Sequence, residues 1–402
     1  MGTLREAKAP SNLSRHHFLV GGQSSVRGSP MYNMEKKGSG KTYFDYLRLD
    51  SLLALQNGFN ASESEIGSDE LLFIIVHQAY ELWFKQIIHE VREARDLVNL
   101  DFVPESTIPL IVHKLKRVCS IFKLAISQFE VLETLAPGDF LEFRDKLGTA
   151  SGFQSIQMRE MEILLGLEES QRFALGGSNA LDHIRRSAST SISGKNAFER
   201  VEALMNETNF KTALYSWLYR TPIDGSFAEN EGDSLVVSQF LERYMNSYQR
   251  LTEEQFLQLK DTIDDPQPVR SRLDQSVESV KNFLLASDVP QAQRSRIKRV
   301  RAGILFIESY RDLPLLAWPR ELLDAVVELE QQFIVWRQRH SRMVERMIGR
   351  RVGTGGSSGV DYLDKTGSYR IFTDLWMVRT SLLPRKALPD LENNSFYSFI
   401  SQ

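Results

Sequence analysis

Residues 320–349 read RELLDAVVELEQQFIVWRQRHSRMVERMIG, and their apolar side chains recur at the period of an α-helix. Five positions on one face are separated by four, three, four and four residues: Leu329, Phe333, Trp336, His340 and Val344. At 1.5 Å per residue the segment would span roughly 45 Å, enough to cross a whole domain. We therefore predict one long helix that carries His340 well inside a helical bundle.

Three further segments have the same helical period, and the alternation typical of strands is nearly absent. They are residues 43–56, 69–98 and 107–135. Short turns such as LAPGDF (135–140) would join such long segments as neighbours. The fold class that we predict is all-α, a bundle of long antiparallel helices.

The ends of the chain differ in composition from its centre. Residues 1–40 are rich in Gly, Ser, Pro and charge without any period, which is typical of a mobile tail. We predict one domain over residues 41–385, with a helical insert around 187–300 inside it, and a C-terminal tail at 386–402.

Composition narrows the class of protein. The 402 residues are 42% hydrophobic and carry a net charge of −3, so no global field would gather nucleic acid or an anionic membrane surface. The single cysteine, Cys119, excludes an intramolecular disulfide framework and a cysteine-based metal centre. The first twenty residues lack the features of a secretory signal, and no later run approaches the ~18 apolar residues of a membrane span. We expect a cytoplasmic protein with no nucleic-acid or membrane partner.

The segment that starts near Ser68 places a histidine in an aromatic stripe. Phe73, His77, Tyr80 and Phe84 follow at spacings of four, three and four, so they share one helix face. A core histidine satisfied by a hydrogen bond is the alternative to a ligand-binding one. Two charged residues, Glu81 and Lys85, lie off this stripe, so we expect no group on the helix itself to neutralise His77.

His340 is surrounded in sequence by Trp336, Phe333, Met343 and Met347. A lone imidazole in such company suits a proximal haem ligand, because haem iron needs one axial imidazole and a large apolar pocket. An ordinary core stripe has the same composition, so this pattern alone leaves both interpretations open.

The loop GTGGSSG (353–359) follows the His340 helix. It lacks the lysine of a Walker phosphate loop and follows a helix instead of a strand. Its glycines would let the backbone approach a small ligand closely, and Thr354, Ser357 and Ser358 offer hydroxyls. A flexible linker is the alternative.

An arginine stands in the segment FLEFRDKLGTASGFQSIQMRE (140–160). Phe140 and Phe143 help to form an apolar side from which Arg144 could project, and a guanidinium is well suited to bidentate capture of a carboxylate. A surface salt bridge with Glu142 or Asp145 is the alternative.

Five stretches of the chain, taken in order, closely resemble the tryptophan 2,3-dioxygenase family. They are YFDYLRLD, LLFIIVHQAYELWFKQI, FRDKLGTASGFQSIQMRE, the WRxxH helix and GTGGSSG. Members of that family are haem enzymes that open the indole ring of L-tryptophan. The resemblance covers most of residues 43–175 and 305–385 and is weak over about 187–300. It implies an all-α bundle that encloses a haem pocket.

The resemblance also implies a cofactor site. His340 matches the axial ligand of the iron of haem b, which is Fe²⁺ in the active state. Trp336 and Phe140 would line the haem pocket, and Ser151 matches a residue near the haem edge.

Substrate contacts follow from the same resemblance. His77 matches the distal histidine that accepts a hydrogen bond from the indole N–H, and Phe73 matches a ring that packs on the indole. Arg144 matches the arginine that binds the substrate carboxylate, and Thr354 matches the threonine at the amino-acid head group.

Tyr43 and Tyr46 match aromatic residues that line the site of a neighbouring subunit in a homotetramer. The reaction implied is cleavage of the indole C2–C3 bond by O₂, with both oxygen atoms kept in N-formylkynurenine, the first step of the kynurenine pathway. Two alternatives stay open: a related haem monooxygenase acting on a modified tryptophan, and a non-catalytic sensor of haem or tryptophan.

Overall fold

A computed structural model of the chain describes residues 42–60, 62–148, 152–172, 184–185, 192–351 and 359–399. Helices dominate these ranges, within which the β structure is an isolated bridge between Ile223 and Ser226. The all-α prediction is confirmed. The chain divides into two compact units, residues 1–55 and 56–402.

The described part of the first unit holds two short helices, α1 (Tyr43–Leu47) and α2 (Leu49–Leu52). Thr42 caps α1, since its side chain accepts a hydrogen bond from the backbone N–H of Asp45. The continuous helix predicted over 43–56 is interrupted at Arg48, whose φ of 53° is left-handed. Neither helix contains a buried residue.

The described part of the second unit is built from helices of 4 to 32 residues. They are α3 (Ser68–Val98), α4 (Ile108–Ser127), α5 (Phe129–Leu132), α6 (Pro137–Arg144), α7 (Ile156–Leu165), α8 (Ile192–Met205), α9 (Phe210–Arg220), α10 (Asp233–Leu259), α11 (Gln267–Leu284), α12 (Gln291–Ser309), α13 (Ala317–Ile348), α14 (Gly359–Thr366) and α15 (Thr373–Thr380). Short 3₁₀ turns connect several of them. Of the described helices, none combines the length and the apolar character needed to cross a membrane.

Helix α3 shows why these segments fold as helices. Its buried apolar side chains recur every three or four residues: Val76, Tyr80, Phe84, Ile87, Val91, Ala94 and Val98. Asp69 and Glu70 occupy the first turn, where the helix dipole favours acidic side chains. Gly67 is the N-cap and Ser68 is the first helical residue, one position from the predicted boundary.

Three long helices, α3, α4 and α13, form the centre of the second unit. Along the contact between α3 and α4, residue numbers increase on α3 while they decrease on the α4 side. The pairs are Val76 with Gln128, Tyr80 with Ala125, and Glu90 with Arg117. Contacts between α4 and α13 rise together: Lys116 with Glu321, and Lys123 with Glu328. These pairs show that α4 and α13 are parallel to each other and that α3 is antiparallel to both. Three adjacent helices cannot all be antiparallel to one another, so one parallel pair is unavoidable.

Residues 386–399, at the predicted C-terminal tail, contain a buried tyrosine near their end. The side chain of Tyr397 is 1% exposed. Its hydroxyl donates a hydrogen bond to the carbonyl of Pro222 at 3.1 Å and accepts one from the N–H of Gly225 at 3.0 Å. This segment is thereby attached to the turn between α9 and α10.

We expect the α4–α13 contact to dominate the stability of the second unit. Phe122 is fully buried and stacks on Phe333 with 5.2 Å between ring centroids. Phe122→Ala should reduce the free energy of unfolding by about 3–5 kcal/mol, because it removes a buried ring and leaves a cavity. Leu124→Ala, at a position 48% exposed on the same helix, should cost under about 1 kcal/mol. Urea unfolding would test this, and equal losses in both variants would contradict it.

Candidate active site

One cavity in the second unit brings together residues that are far apart in sequence. Its walls come from α3, α5, α6, α7, α13 and α14. Six of the ten site residues predicted from the sequence line it: Phe73, His77, Phe140, Arg144, Trp336 and His340. Because they belong to three different helices, the fold itself assembles the site.

Of the other four predicted site residues, two lie in the first unit and two lie outside the described residues. Tyr43 and Tyr46 lie on α1 in the first unit, with their side chains 69% and 82% exposed. Ser151 and Thr354 lie outside the described residues, as does most of the loop 353–359.

The tautomer of His77 follows from its hydrogen bond. Its Nδ1 lies 2.7 Å from the backbone oxygen of Phe73, and a carbonyl oxygen can only accept. Nδ1 therefore carries the proton, and in the neutral ring Nε2 is an acceptor. Burial lowers the pKa of His77 below its ordinary value, although the Phe73 carbonyl and the charge of Glu81 act in the opposite direction. The neutral acceptor form thus dominates at neutral pH.

His340 is held between aromatic rings. It stacks on Phe129, with centroids 5.8 Å apart and an interplanar angle of 12°, and packs against Trp336 at 5.1 Å. Burial, with a smaller effect from His77, lowers the pKa of His340 to about 4. No described residue forms a hydrogen bond with its ring nitrogens. A neutral imidazole whose lone pair no described residue occupies, in an apolar cavity, is suited to binding one metal-containing ligand.

A group of phenylalanine rings surrounds the start of the His77 helix. Phe73 lies 4.0 Å from the ring of His77, 5.8 Å from Phe140 and 5.6 Å from Phe143, measured between centroids. Arg144 is partly buried at the end of α6 and lines the same cavity. A flat apolar ligand could pack on these rings while the guanidinium binds an anionic group.

A buried ion cluster lies at another part of the cavity wall. The carboxylate of Glu162 accepts hydrogen bonds from Arg159 at 2.9 Å, from Arg337 at 2.8 Å and from Arg172. The four side chains are at most 7% exposed. Burial acts to raise the pKa of Glu162, but the three guanidiniums outweigh it and hold that pKa below its ordinary value.

Three guanidiniums around one carboxylate leave an excess of two positive charges within this cluster. Two donors of this cluster, Arg159 Nε and Arg172 Nη2, have no hydrogen-bond partner among the described residues. The same holds for Trp336 Nε1, whose ring packs against His340. Arg159 and Trp336 both line the cavity. Buried donors normally find acceptors, so this end of the cavity is suited to an anionic group.

Sequence reasoning missed this ion cluster and misjudged Glu81. The signal for the cluster was Arg159 and Glu162, one helical turn apart among the apolar residues of IQMREMEILL. Glu81 was expected to lie off the face of His77, yet it lines the cavity and its charge acts on the pKa of His77. Residues four apart on a helix share a face, so the expectation was wrong.

Comparisons with known proteins agree with the resemblance. A family model described as tryptophan 2,3-dioxygenase matches residues 29–382. "Tryptophan 2,3-dioxygenase 2" of Ralstonia nicotianae is 46% identical over 372 residues, which cover 90% of this chain and 98% of that protein. "Tryptophan 2,3-dioxygenase" of Sorangium cellulosum is 46% identical, covering 96% and 93%. A protein of the same name from Anopheles gambiae is 34% identical, covering 92% and 91%.

The ion cluster leads to a prediction about stability. Glu162→Gln removes the carboxylate that three buried guanidiniums share, so the free energy of unfolding should fall by about 3–5 kcal/mol. Glu160→Gln is the matched control. Glu160 is also buried on α7, but its partner Arg200 is 58% exposed and stays hydrated, so that change should cost about 1 kcal/mol.

The pH dependence of unfolding tests the same cluster. The folded-state pKa of Glu162 lies below its ordinary 4.5, so the folded protein binds fewer protons than the unfolded one. The stabilisation is complete above pH 4.5 and is lost as the pH falls through the folded-state pKa. Urea unfolding between pH 6 and 3 should therefore show a shallower loss in Glu162→Gln than in the unsubstituted protein. Parallel curves would count against this assignment.

Proposed function

The chain belongs to the tryptophan 2,3-dioxygenase family, and we propose that it uses haem b to cleave the indole C2–C3 bond of L-tryptophan with O₂. Family membership makes it an oxygen-using enzyme that cleaves tryptophan oxidatively. We propose N-formylkynurenine as the product, with both oxygen atoms retained, as in the first step of the kynurenine pathway. The observation that carries the proposal is a pair of neutral imidazoles, His77 and His340, in one aromatic cavity.

The donor set of the cavity fits haem b. Haem needs one axial imidazole, apolar surroundings for its faces and an end that accepts two propionates. His340 offers a neutral imidazole, and Phe129 and Trp336 pack around it. Arg159 Nε has no hydrogen-bond partner among the described residues and belongs to a cluster with two excess positive charges, which suits two carboxylates. When bound, haem supplies the iron at which O₂ is activated, and the protein supplies orientation and exclusion of water.

We assign His77 the role of a hydrogen-bond acceptor. Its Nδ1 proton is held by the carbonyl of Phe73, so Nε2 is left to accept the indole N–H. Because burial lowers the pKa of His77, the ring is a weak base. It can therefore orient the indole while the proton stays on the indole nitrogen.

Residues other than His77 bind the rest of the tryptophan substrate. Phe73 packs on the indole, and its contacts with Phe140 and Phe143 hold its ring in place. Arg144 binds the substrate carboxylate through its guanidinium, as in the family pattern. Thr354 and Ser151 take the family roles at the head group and at the haem edge.

We propose a homotetramer in which Tyr43 and Tyr46 complete the site of a neighbouring subunit. What supports this is the family pattern together with the exposure of α1, whose aromatic residues Tyr43, Phe44 and Tyr46 are all more than 60% exposed. Exposed aromatic side chains in such density are typical of surfaces that meet a partner.

We also propose a cytoplasmic location. The only cysteine, Cys119, is buried, and burial raises the pKa of its thiol to about 12, so it is held as an unreactive thiol. A chain without disulfides is typical of a reducing compartment.

The proposal is tested by reducing the haem-loaded protein, adding L-tryptophan with isotope-labelled O₂, and analysing the product by absorbance and mass spectrometry. We expect N-formylkynurenine with two labelled atoms. One labelled atom would indicate a monooxygenase instead, and stoichiometric tryptophan binding without turnover would indicate a sensor. His340→Ala should lose the haem absorbance and the activity together, because it removes the proposed axial ligand.

A second prediction concerns His77. His77→Ala should lower kcat/KM by roughly 10- to 100-fold without abolishing turnover, because it removes one hydrogen bond and no required base. The unsubstituted enzyme should lose activity only below pH 6.5, where His77 becomes protonated and stops accepting, and this decline should be absent from the variant. His89→Ala, at an exposed position on the same helix, is the control. An inactive His77→Ala protein that still binds haem and tryptophan would contradict the assignment.

A further inference from the structure

Glu81 lies one helical turn after His77 on α3 and lines the cavity. Its carboxylate accepts a hydrogen bond from the hydroxyl of Ser155 at 2.7 Å and another from Nε2 of Gln157 at 2.8 Å. The same amide nitrogen also donates to the backbone oxygen of Glu81 at 2.6 Å. Three hydrogen bonds therefore join α3 to a segment more than seventy residues later in the chain.

The segment bound by Glu81 is the start of α7. Ser155 is the N-cap of that helix, since its hydroxyl oxygen accepts from the N–H of Met158 at 3.3 Å. The hydroxyl of Ser155 thus accepts a hydrogen bond within α7 and donates one to Glu81 on α3. One turn further along, α7 presents Arg159, which lines the cavity and belongs to the ion cluster.

The partners of Glu81 are unusual for a glutamate at this cavity. Glu162 is bonded by three guanidiniums, whereas the partners of Glu81 among the described residues are a neutral hydroxyl and a neutral amide. Both of its oxygens accept, and both donors need an acceptor. An isosteric glutamine would offer only one acceptor: either its NH₂ faces the NH₂ of Gln157, or the amide is rotated and the hydroxyl hydrogen of Ser155 loses this acceptor. Both carboxylate oxygens of Glu81 are therefore needed to keep both side-chain bonds.

We propose that Glu81 is a positioning residue, which fixes the start of α7 against the His77 helix and so sets where His77 lies relative to Arg159. This inference rests on the proposed function, in which His77 orients the indole and Arg159 lies at the propionate end of the haem. A small displacement between the two groups would move the substrate relative to the cofactor. Misplacement by about 1 Å can reduce the rate of an enzyme by about 100-fold.

The test is a donor and acceptor swap in the haem-loaded enzyme. Glu81→Gln alone and Gln157→Glu alone should each lower kcat roughly 10-fold, since the first removes one of the two acceptors and the second pairs two carboxylates. The double variant, Glu81→Gln with Gln157→Glu, restores one acceptor opposite one donor. It should recover to within about 3-fold of the unsubstituted enzyme, with some loss because a carboxylate then faces the carbonyl of Glu81.

Glu130→Gln is the control, because Glu130 is an exposed acid on α5, which also borders the cavity. It should leave kcat unchanged. A Glu81→Gln enzyme with unchanged kcat would overturn the proposal, and so would a double variant no better than the singles. Either result would show that the bonds at Ser155 and Gln157 do not position the site.

A readout that does not need turnover separates this proposal from the proposed function. Backbone amide exchange at residues 158–162 should be faster in Glu81→Gln and should return toward its original rate in the double variant. If the protein binds haem but does not cleave tryptophan, this pattern of exchange would still show that Glu81 fixes α7. Unchanged exchange in Glu81→Gln would refute the positioning role even in an active enzyme.

Discussion

The carboxylate of Glu162 is the interaction on which the site depends. It joins α7, the segment at Arg172 and α13, and Arg337 extends the connection to the carbonyl of Thr366 at the end of α14. Burying one carboxylate alone would cost several kcal/mol, so it must be paired. Because three guanidiniums surround the one carboxylate, the net charge of the buried cluster is positive. His340 stands one turn after Arg337, so the same helix carries the imidazole and part of the cationic end.

This arrangement divides the cavity into two environments. Around His77 and His340 the walls are mainly aromatic, and burial keeps both imidazoles neutral by lowering their pKa. At Arg159 the wall offers positive charge and an Nε that no described residue bonds. A ligand that is apolar over most of its surface and anionic at one edge satisfies both, and haem has that distribution of polarity. The fit between the cavity and the family's cofactor therefore depends on the aromatic walls and the cationic end together, and not on either imidazole alone.

Helical period predicted the long helices well, because each buries one stripe of apolar side chains and the period of that stripe is visible in the sequence. It also placed His77 and His340 on buried faces. The contacts of Glu162 with Arg337 could not be predicted, because they join residues 175 positions apart and no local pattern records such pairs. Glu81 was misjudged for another reason: the apolar stripe was taken as the whole cavity face, whereas a cavity also uses the flank of the helix. The interruption at Arg48 depends on one left-handed residue and leaves the period of its neighbours intact.

The two carboxylates at the cavity act on the imidazoles in different ways. The charge of Glu162 is more than balanced by its three arginines, so it contributes no net negative potential to the cavity. Glu81 is bonded by neutral donors, and its charge favours a proton on His77 and opposes the effect of burial. Burial is the larger effect, so His77 stays neutral but is not made inert. A neutral imidazole with a pKa below 6.5 is far too weak a base to remove the proton of an indole N–H, but it still accepts a hydrogen bond from it. In the proposed function, this balance suits a His77 that orients the indole while the proton stays on the indole nitrogen.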